Sequence, residues 1–324
     1  MKARIKQFVE EYFEEIVSIR RHLHTHPELS FKEHKTAQFV QNKLAEYSIP
    51  FTSGHVETGI IGIIEGKNPA KKVIALRADL DALPISEKNK VSYASLNEGV
   101  MHACGHDVHT SCLLGAAKIL KQLQGDFEGT IKLIFQPGEE KLPGGAKLMI
   151  EAGVLKNPIP DNVIGQHVFP DLQVGKLGFR KGMYMASADE IYVTVKGKGG
   201  HAALPHKVID PILIASNIVV SLQQIVSRRS KPDIPTVLSF GNIQGNGATN
   251  VIPEVVTLEG TFRTFDEEWR FDAHKKMKDL ARSIAEGMGG SCDFDVHVGY
   301  PFLVNEDITT AKKYRVGKRI FGRR

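Results

Sequence analysis

The sequence offers little that would take it to a membrane, a secretory route or a disulfide framework. No apolar run approaches the ~20 residues needed to span a bilayer. The first residues, MKARIKQFVEEYFEEIVSIRRHL, alternate charge with apolar side chains at helical spacing. The uninterrupted apolar stretch of a secretory signal is therefore absent, and the cytoplasm is the expected compartment. Cysteine is scarce and odd in number, with 3 in all, which argues against a disulfide scaffold. Cys112 and Cys292 read as small buried apolar side chains. Neither an internal repeat nor a low-complexity linker stands out.

What is present is the profile of an ordinary globular protein. Hydrophobic residues make up 42% and charged residues 24% of the 324, enough for a sizeable core and two domains. The formal charge of +5 is concentrated at one end. The last 13 residues, KKYRVGKRIFGRR, hold seven Lys or Arg and no acid, so residues 1–311 carry −2. A basic tail of this kind could serve nucleic acid or an anionic surface. A solvated, disordered end is the commoner outcome, and neither nucleic acid nor membrane is the expected partner.

The apolar periodicity predicts an α/β fold. Amphipathic helices are expected over residues 3–24 and 34–47. VIALRAD (73–79) and TIKLIFQP (130–137) read as buried strands, the second stopped by Pro137 and Gly138. Helices over Ser111–Leu123 and Gly145–Leu155 alternate with them, and VIGQHVF (163–169) reads as a third strand. The alternation implies a largely parallel sheet flanked by helices. Beyond residue 180 the pattern changes. Strands 190–199, 236–245, 255–265 and 292–300 interleave with helices over Asp210–Arg228 and Glu267–Met288, in the order β-α-β-β-α-β of a ferredoxin-like unit. The expected division is a domain of residues 1–180 and 300–324, interrupted by an inserted domain of residues 181–299.

Residues with metal-binding chemistry fall at the carboxyl ends of the first domain's strands, where open α/β sheets bind ligands. MHACGHDVH sets Cys104 and His106 two apart in a glycine-containing loop just before a helix, a spacing at which thiolate and imidazole can share one zinc-like centre. FQPGEE sets Glu139 and Glu140 just past a buried strand. One carboxylate can bind a cation while its neighbour acts as general base on the attacking water. His167 lies in VIGQHVF. Each element alone fits a bland structural reading; three at consecutive strand ends point to a site.

With these segments in view, the chain resembles the M20 metallopeptidases, and among them the N-acyl-amino-acid amidohydrolases that act on hippurate or auxin conjugates. The resemblance rests on RRHLHTHPELSFKE, ALRADLDALPISE, MHACGHDVHTS, IFQPGEE, GQHVFPDLQVGKLG, GKGGHAALPH, GNGATNVIPE and GTFRTF, in the family's order over nearly residues 18–304. It implies Cys104, His106, Glu140 and His167 as ligands of two divalent cations, with Cys104 as a bridge. Zinc or manganese is the expected metal, and cobalt or nickel is tolerated by the same donors. It further implies Glu139 as general base and acid, and Asp79 as the carboxylate that orients the metal site. From the inserted lid and dimerisation domain, it implies His201 as a donor to the scissile carbonyl in a partner subunit's site. Asn250 and Arg263 become substrate contacts, Arg263 gripping a free carboxylate. His22, His24, His26, His102 and His109 receive no ligand role. The expected substrate is a small N-acyl amino acid and the expected assembly a homodimer.

The motifs stop near YPFLVNED. The resemblance implies a further segment with one more His ligand, and none follows Asp307. A truncated chain with an out-of-frame tail, weakly active or inactive, is the expectation that follows. A dipeptidase or aminoacylase of the same fold is the neighbouring enzyme reading. A non-catalytic metal-binding remnant is the reading from another class.

Overall fold

The computed structural model describes residues 1–321. They fall into two units, Met1–Val174 and a second beginning at Gly175. Among the described residues no helix is long and apolar enough to cross a membrane.

The first unit opens with α1 (Lys2–Thr25) and α2 (His34–Glu46). There follow β1 (Phe51–His55), β2 (Gly59–Glu65), β3 (Val73–Asp79), α3 (His106–Gln122), β4 (Thr130–Gln136), α4 (Gly145–Glu151) and β5 (Asn162–Gly165). The sheet order is β1-β2-β4-β3-β5. Strands β3, β4 and β5 are parallel, whereas β2 runs antiparallel to β4 and β1 antiparallel to β2. The sheet is thus mixed where periodicity alone suggested a largely parallel one. The short link between β1 and β2 is too brief for a crossover, so that pair has to be antiparallel.

Alternation along β4 divides the core. Leu133 and Phe135 join Leu44, Ile60 and Leu114 under α2 and α3. Ile134 faces the other way, onto Ile61, Ala75, Met149 and Val154. Helices therefore cover both faces, and the three parallel strands end in register, with Asp79 opposite Gln136 and Arg77 opposite Gly165. The loops that leave β3, β4 and β5 emerge together. VIGQHVF forms a strand only as far as Gly165, so His167 lies two residues beyond it, in a loop.

In the second unit come β6 (Gly182–Met185), β7 (Asp189–Lys196), β8 (Gly200–His201), α5 (Pro211–Gln224), β9 (Thr236–Gln244), β10 (Val251–Ile252), β11 (Val255–Thr264), α6 (Glu267–Gly287), β12 (Ser291–His297), β13 (Leu303–Asn305) and α7 (Asp307–Phe321). The main sheet, β12-β7-β11-β9, is antiparallel throughout. With α5 and α6 it realises the β-α-β-β-α-β order read from the sequence. Ile191, Val193 and Val195 point from β7 into the core, against Ile214 and Ile218 of α5 and Ala273, Met277 and Ala281 of α6. The start of α5 is set as expected: Pro211 takes its first position and the Asp210 carboxylate accepts from the N–H groups of Ile212 and Leu213.

Two local expectations change. The tail is helical as α7 through Phe321, with Tyr314 edge-on to Phe179 at 6.3 Å; residues 322–324 lie outside the described residues. Strand β13 pairs with β6. Cys292 is buried, but Cys112 is exposed, because it stands beside rather than on the stripe of α3 that buries Leu113, Leu114 and Ala117.

A buried ion network fastens β7 to α6. The Asp189 carboxylate accepts from Arg270 Nε at 2.8 Å, from Gly299 N at 3.0 Å, and pairs with His274 Nε2 at 2.8 Å. Burial opposes its ionisation, but the Arg270 and His274 contacts outweigh that and hold the carboxyl at about 2. Replacing Asp189 by Ala leaves the buried Arg270 with only Glu267 and the Gly299 carbonyl as partners, with an expected loss of about 2–4 kcal/mol in a denaturant titration; a change below about 1 kcal/mol would show that the network contributes little.

Candidate metal centre

Four chain segments meet at the carboxyl edge of β3, β4 and β5. Asp79 closes β3, and Asp81 follows two residues later. Cys104 and His106 flank Gly105, which takes φ +83° and turns the chain so that His106 becomes the first residue of α3. A side chain at Gly105 would also strike Val168, with a Cβ only 2.4 Å from its Cγ2. Glu139 and Glu140 follow the Pro137-Gly138 stop of β4, and His167 follows β5.

The sequence-predicted ligands converge. Cys104 Sγ lies 3.3 Å from His167 Nε2. His106 Nε2 lies 3.7 Å from Glu140 Oε1 and 3.8 Å from Asp79 Oδ2. His106 is shared by three sets of potential ligands, Cys104–His106–His167, Asp79–His106–His109 and His106–Glu139–Glu140, each with donor atoms within 4.8 Å of one another. His106 Nε2 and Glu140 Oε1 are buried and make no hydrogen bond. Leaving two such atoms unsatisfied costs about 1–3 kcal/mol each. A divalent cation between them satisfies both, and a thiolate, imidazoles and a carboxylate are the donors that zinc-class ions prefer. The residues present fit a metal centre.

The surrounding groups fix which atoms are available. His109 Nδ1 donates to Asp79 Oδ1 at 2.6 Å, and its Nε2 accepts from Val168 N at 2.9 Å. Both nitrogens are spent, so His109 is no ligand; it ties Asp79 to the loop that carries His167. The carboxylate that holds His106 itself is Asp81, 3.2 Å from Nδ1. Asp81 also accepts from Ser30 Oγ at 2.6 Å and from Glu140 N at 2.9 Å. Sequence reasoning passed over Asp81; its one signal was the paired acids of RADLD, two residues apart. Away from the cluster, His24 lies buried between Asp107 at 2.7 Å and Glu87 at 3.2 Å, and His26 bonds the His22 carbonyl at 2.9 Å.

Electrostatics follow the geometry. The neighbouring His106 and His167 rings, the second in hydrogen-bond contact, hold the Cys104 thiol below its ordinary value. Burial pulls His106 down, but Asp81, Cys104 and Asp79 overcome it and push the ring up to about 11. The Cys104 contact pushes His167 up to about 9. Burial would raise Asp79, yet His109, Arg77 and His106 keep it well below the usual carboxylate range. Glu139 goes the other way, raised by burial and by the charge of Glu140.

The remaining predicted residues lie in the second unit. His201 in β8 is exposed and accepts a bond from Ala203 N through Nδ1 at 3.1 Å. Asn250 is brought beside it, its carbonyl accepting from Ala202 N at 2.9 Å next to the β8–β10 pairing. Arg263 is exposed on β11.

Known proteins resemble this chain in sequence and fold. The model of peptidase family M20/M25/M40 matches residues 75–322. The chain belongs to that family. The M20 match runs beyond Asp307, where the motifs alone had placed the end of the resemblance. An N-acyl-L-amino acid amidohydrolase of Geobacillus stearothermophilus is 45% identical over 306 residues, covering 94% of this chain and 82% of its own. An N-acetyl-L-cysteine deacetylase of Bacillus subtilis is 44% identical, with coverage of 91% and 70%. The crystal structure of the Bacillus subtilis YXEP protein, a dinuclear metal binding peptidase from the M20 family, superposes with a TM-score of 0.80 at 36% identity, covering 96% of this chain and 81% of that one.

Two outcomes are expected of the M20 centre. Because His106 and His167 hold their protons above neutrality, a cation must displace protons to bind. Calorimetric titration in buffers of different ionisation enthalpy should detect proton release at pH 7, and affinity should rise with pH; pH-independent binding without proton release would contradict the assignment. Asp81→Asn puts an amide against donors that need an acceptor, and should weaken metal binding about 10- to 100-fold in a chelator competition. An unchanged affinity would mean that Asp81 does not orient His106.

Proposed function

We propose that the chain hydrolyses the amide bond of small N-acyl amino acids, hippurate-like or auxin-conjugate-like, in a metal-dependent reaction. The observation that carries the reading is the convergence of Cys104, His106, Glu140 and His167 on unsatisfied buried donor atoms, with Glu139 beside them. Cys104, His106, Glu140 and His167 are the residues that hold the metal, and the dinuclear description of the YXEP relative supports two divalent ions. Zinc or manganese suits the donor set, and cobalt or nickel is accepted by it. Such ions, when bound, polarise the scissile carbonyl and lower the pKa of the attacking water.

The protein's own groups do the rest. Glu139 takes a proton from the water and delivers it to the leaving nitrogen. Burial and the neighbouring Glu140 raise its carboxyl, which brings it nearer the pH at which it has to accept and then return a proton. Asp81 and Asp79 keep His106 and the His167 loop aimed. The second unit, read as a lid inserted in the catalytic domain, contributes His201 to the carbonyl and Asn250 and Arg263 to the substrate, Arg263 pairing with the free carboxylate. A homodimer through this unit is the assembly in which His201 serves a partner's site. Exposed Ile212, Leu213 and Val220 on α5, beside edge strand β9, support it.

Metal-loaded protein is expected to release free amino acid from a panel of N-acetyl, N-benzoyl and indoleacetyl amino acids, and Glu139→Gln to lower kcat by about 100-fold or more. Cleavage of unblocked dipeptides in preference to the panel would shift the reading to a dipeptidase. Full turnover by the Glu139→Gln protein would remove Glu139 from the mechanism.

A further inference from the structure

We propose that Glu33 is a positioning residue for the Glu139–Glu140 pair: its buried carboxylate clamps the backbone from which both acids project. The inference rests on the roles just given to Glu139 and Glu140. Glu33 is 0% exposed. Its Oε1 accepts from Gly138 N at 2.8 Å, the amide immediately before Glu139, and from Phe31 N at 2.9 Å. Its Oε2 accepts from Thr58 Oγ1 at 2.7 Å. On the other side of Glu139, Asp81 accepts from Glu140 N at 2.9 Å. The two amides that flank Glu139 are therefore each held by a separate buried carboxylate, and the loop has little freedom to swing the base.

Two further observations set Glu33 apart from ordinary helix-end acids. It occupies the residue before α2, where an acidic side chain usually caps its own helix, yet it makes no cap. Glu28 takes that task, accepting from Lys35 N and Thr36 N at 3.2 and 2.8 Å. The segment also carries backbone strain. Phe31 adopts φ +63°, uncommon for a bulky residue, and Gly138 adopts φ +54°. The Phe31 ring fills the space where a Gly138 Cβ would stand, 2.4 Å away. Strain such as that at Phe31 persists where surrounding bonds over-determine it, and Glu33 bonds both Phe31 and the Gly138 that Phe31 packs on. The stretch HPELSFKE thus forms the platform under the catalytic loop.

The test compares Glu33→Ala and Glu33→Gln in the full chain. The side-chain amide introduced by Glu33→Gln keeps an acceptor for the two backbone N–H groups and donates to the Thr58 hydroxyl, so this variant should preserve the clamp. For Glu33→Ala, hydrogen exchange of residues 138–140 should quicken about 10-fold or more relative to the rest of the chain. Its Co²⁺ affinity should fall about 10-fold in a chelator competition. Its kcat on an N-acyl amino acid should fall about 10- to 100-fold, with KM little changed. Glu33→Gln should stay within about threefold of wild type in all three. If Glu33→Ala does not fold, Glu33→Asp, one methylene too short to reach both amides, takes its place with the same expectations. Exchange at 138–140 that rises no more than elsewhere, together with unaltered Co²⁺ affinity, would overturn the proposal. Exchange and Co²⁺ binding need no turnover, so a wild-type protein inactive on N-acyl amino acids would refute the substrate reading while these two readouts still decide on the clamp.

Discussion

Buried carboxylates that each accept several hydrogen bonds hold the first unit's site together. Asp81 is the pivot. One oxygen faces the His106 ring and the other accepts from Glu140 N and Ser30 Oγ. Two ligands from different strand ends are thereby fixed to one group, and the loop after α1 is fixed to both. Charge-assisted hydrogen bonds to a buried carboxylate are about twice as strong as neutral ones, and the low local dielectric strengthens them further. Asp79 does the same for the opposite rim, through His109 to the His167 loop. Remove these acceptors and the donors of the centre are individually present but collectively unaimed.

The topology explains why so few residues suffice. Parallel β3, β4 and β5 end side by side, so Asp79 and Asp81, Glu139 and Glu140, and His167 all lie within a few residues of one edge of the sheet, and the long β3–α3 connection brings Cys104 and His106 back to it. Helix α3 begins at His106, which puts its positive end beside the thiolate-forming Cys104. Anionic donors crowd the cluster, and imidazoles raised well above neutrality balance them. A divalent cation supplies the same balance with better geometry.

The parts legible in sequence were those encoded locally. Glu139 and Glu140 directly follow a strongly patterned strand, and Cys104 and His106 stand at the start of a strongly patterned helix, so their chemistry shows in their spacing. The second unit's order was legible because β7 and β11 alternate cleanly and Asp210-Pro211 marks a helix start. The hidden parts depend on contacts between distant positions. Asp81 acts on the backbone of a residue 59 positions away and Glu33 on one 105 away, which no local pattern reports. His167 looked like a strand residue because its surroundings are apolar, but the strand ends at Gly165 and Val168 N is claimed by His109 instead of a ladder partner. The antiparallel β1–β2 edge escaped a reading that named no strand between α2 and β3 and expected a largely parallel sheet.

The central claim is that Cys104, His106, Glu140 and His167 together bind metal. X-ray absorption of the zinc-loaded protein tests it most directly. The account predicts a sulfur scatterer at about 2.3 Å beside nitrogen and oxygen scatterers at about 2.0–2.2 Å, with the sulfur shell lost in Cys104→Ser. A first shell of nitrogen and oxygen alone in the wild-type protein would contradict it.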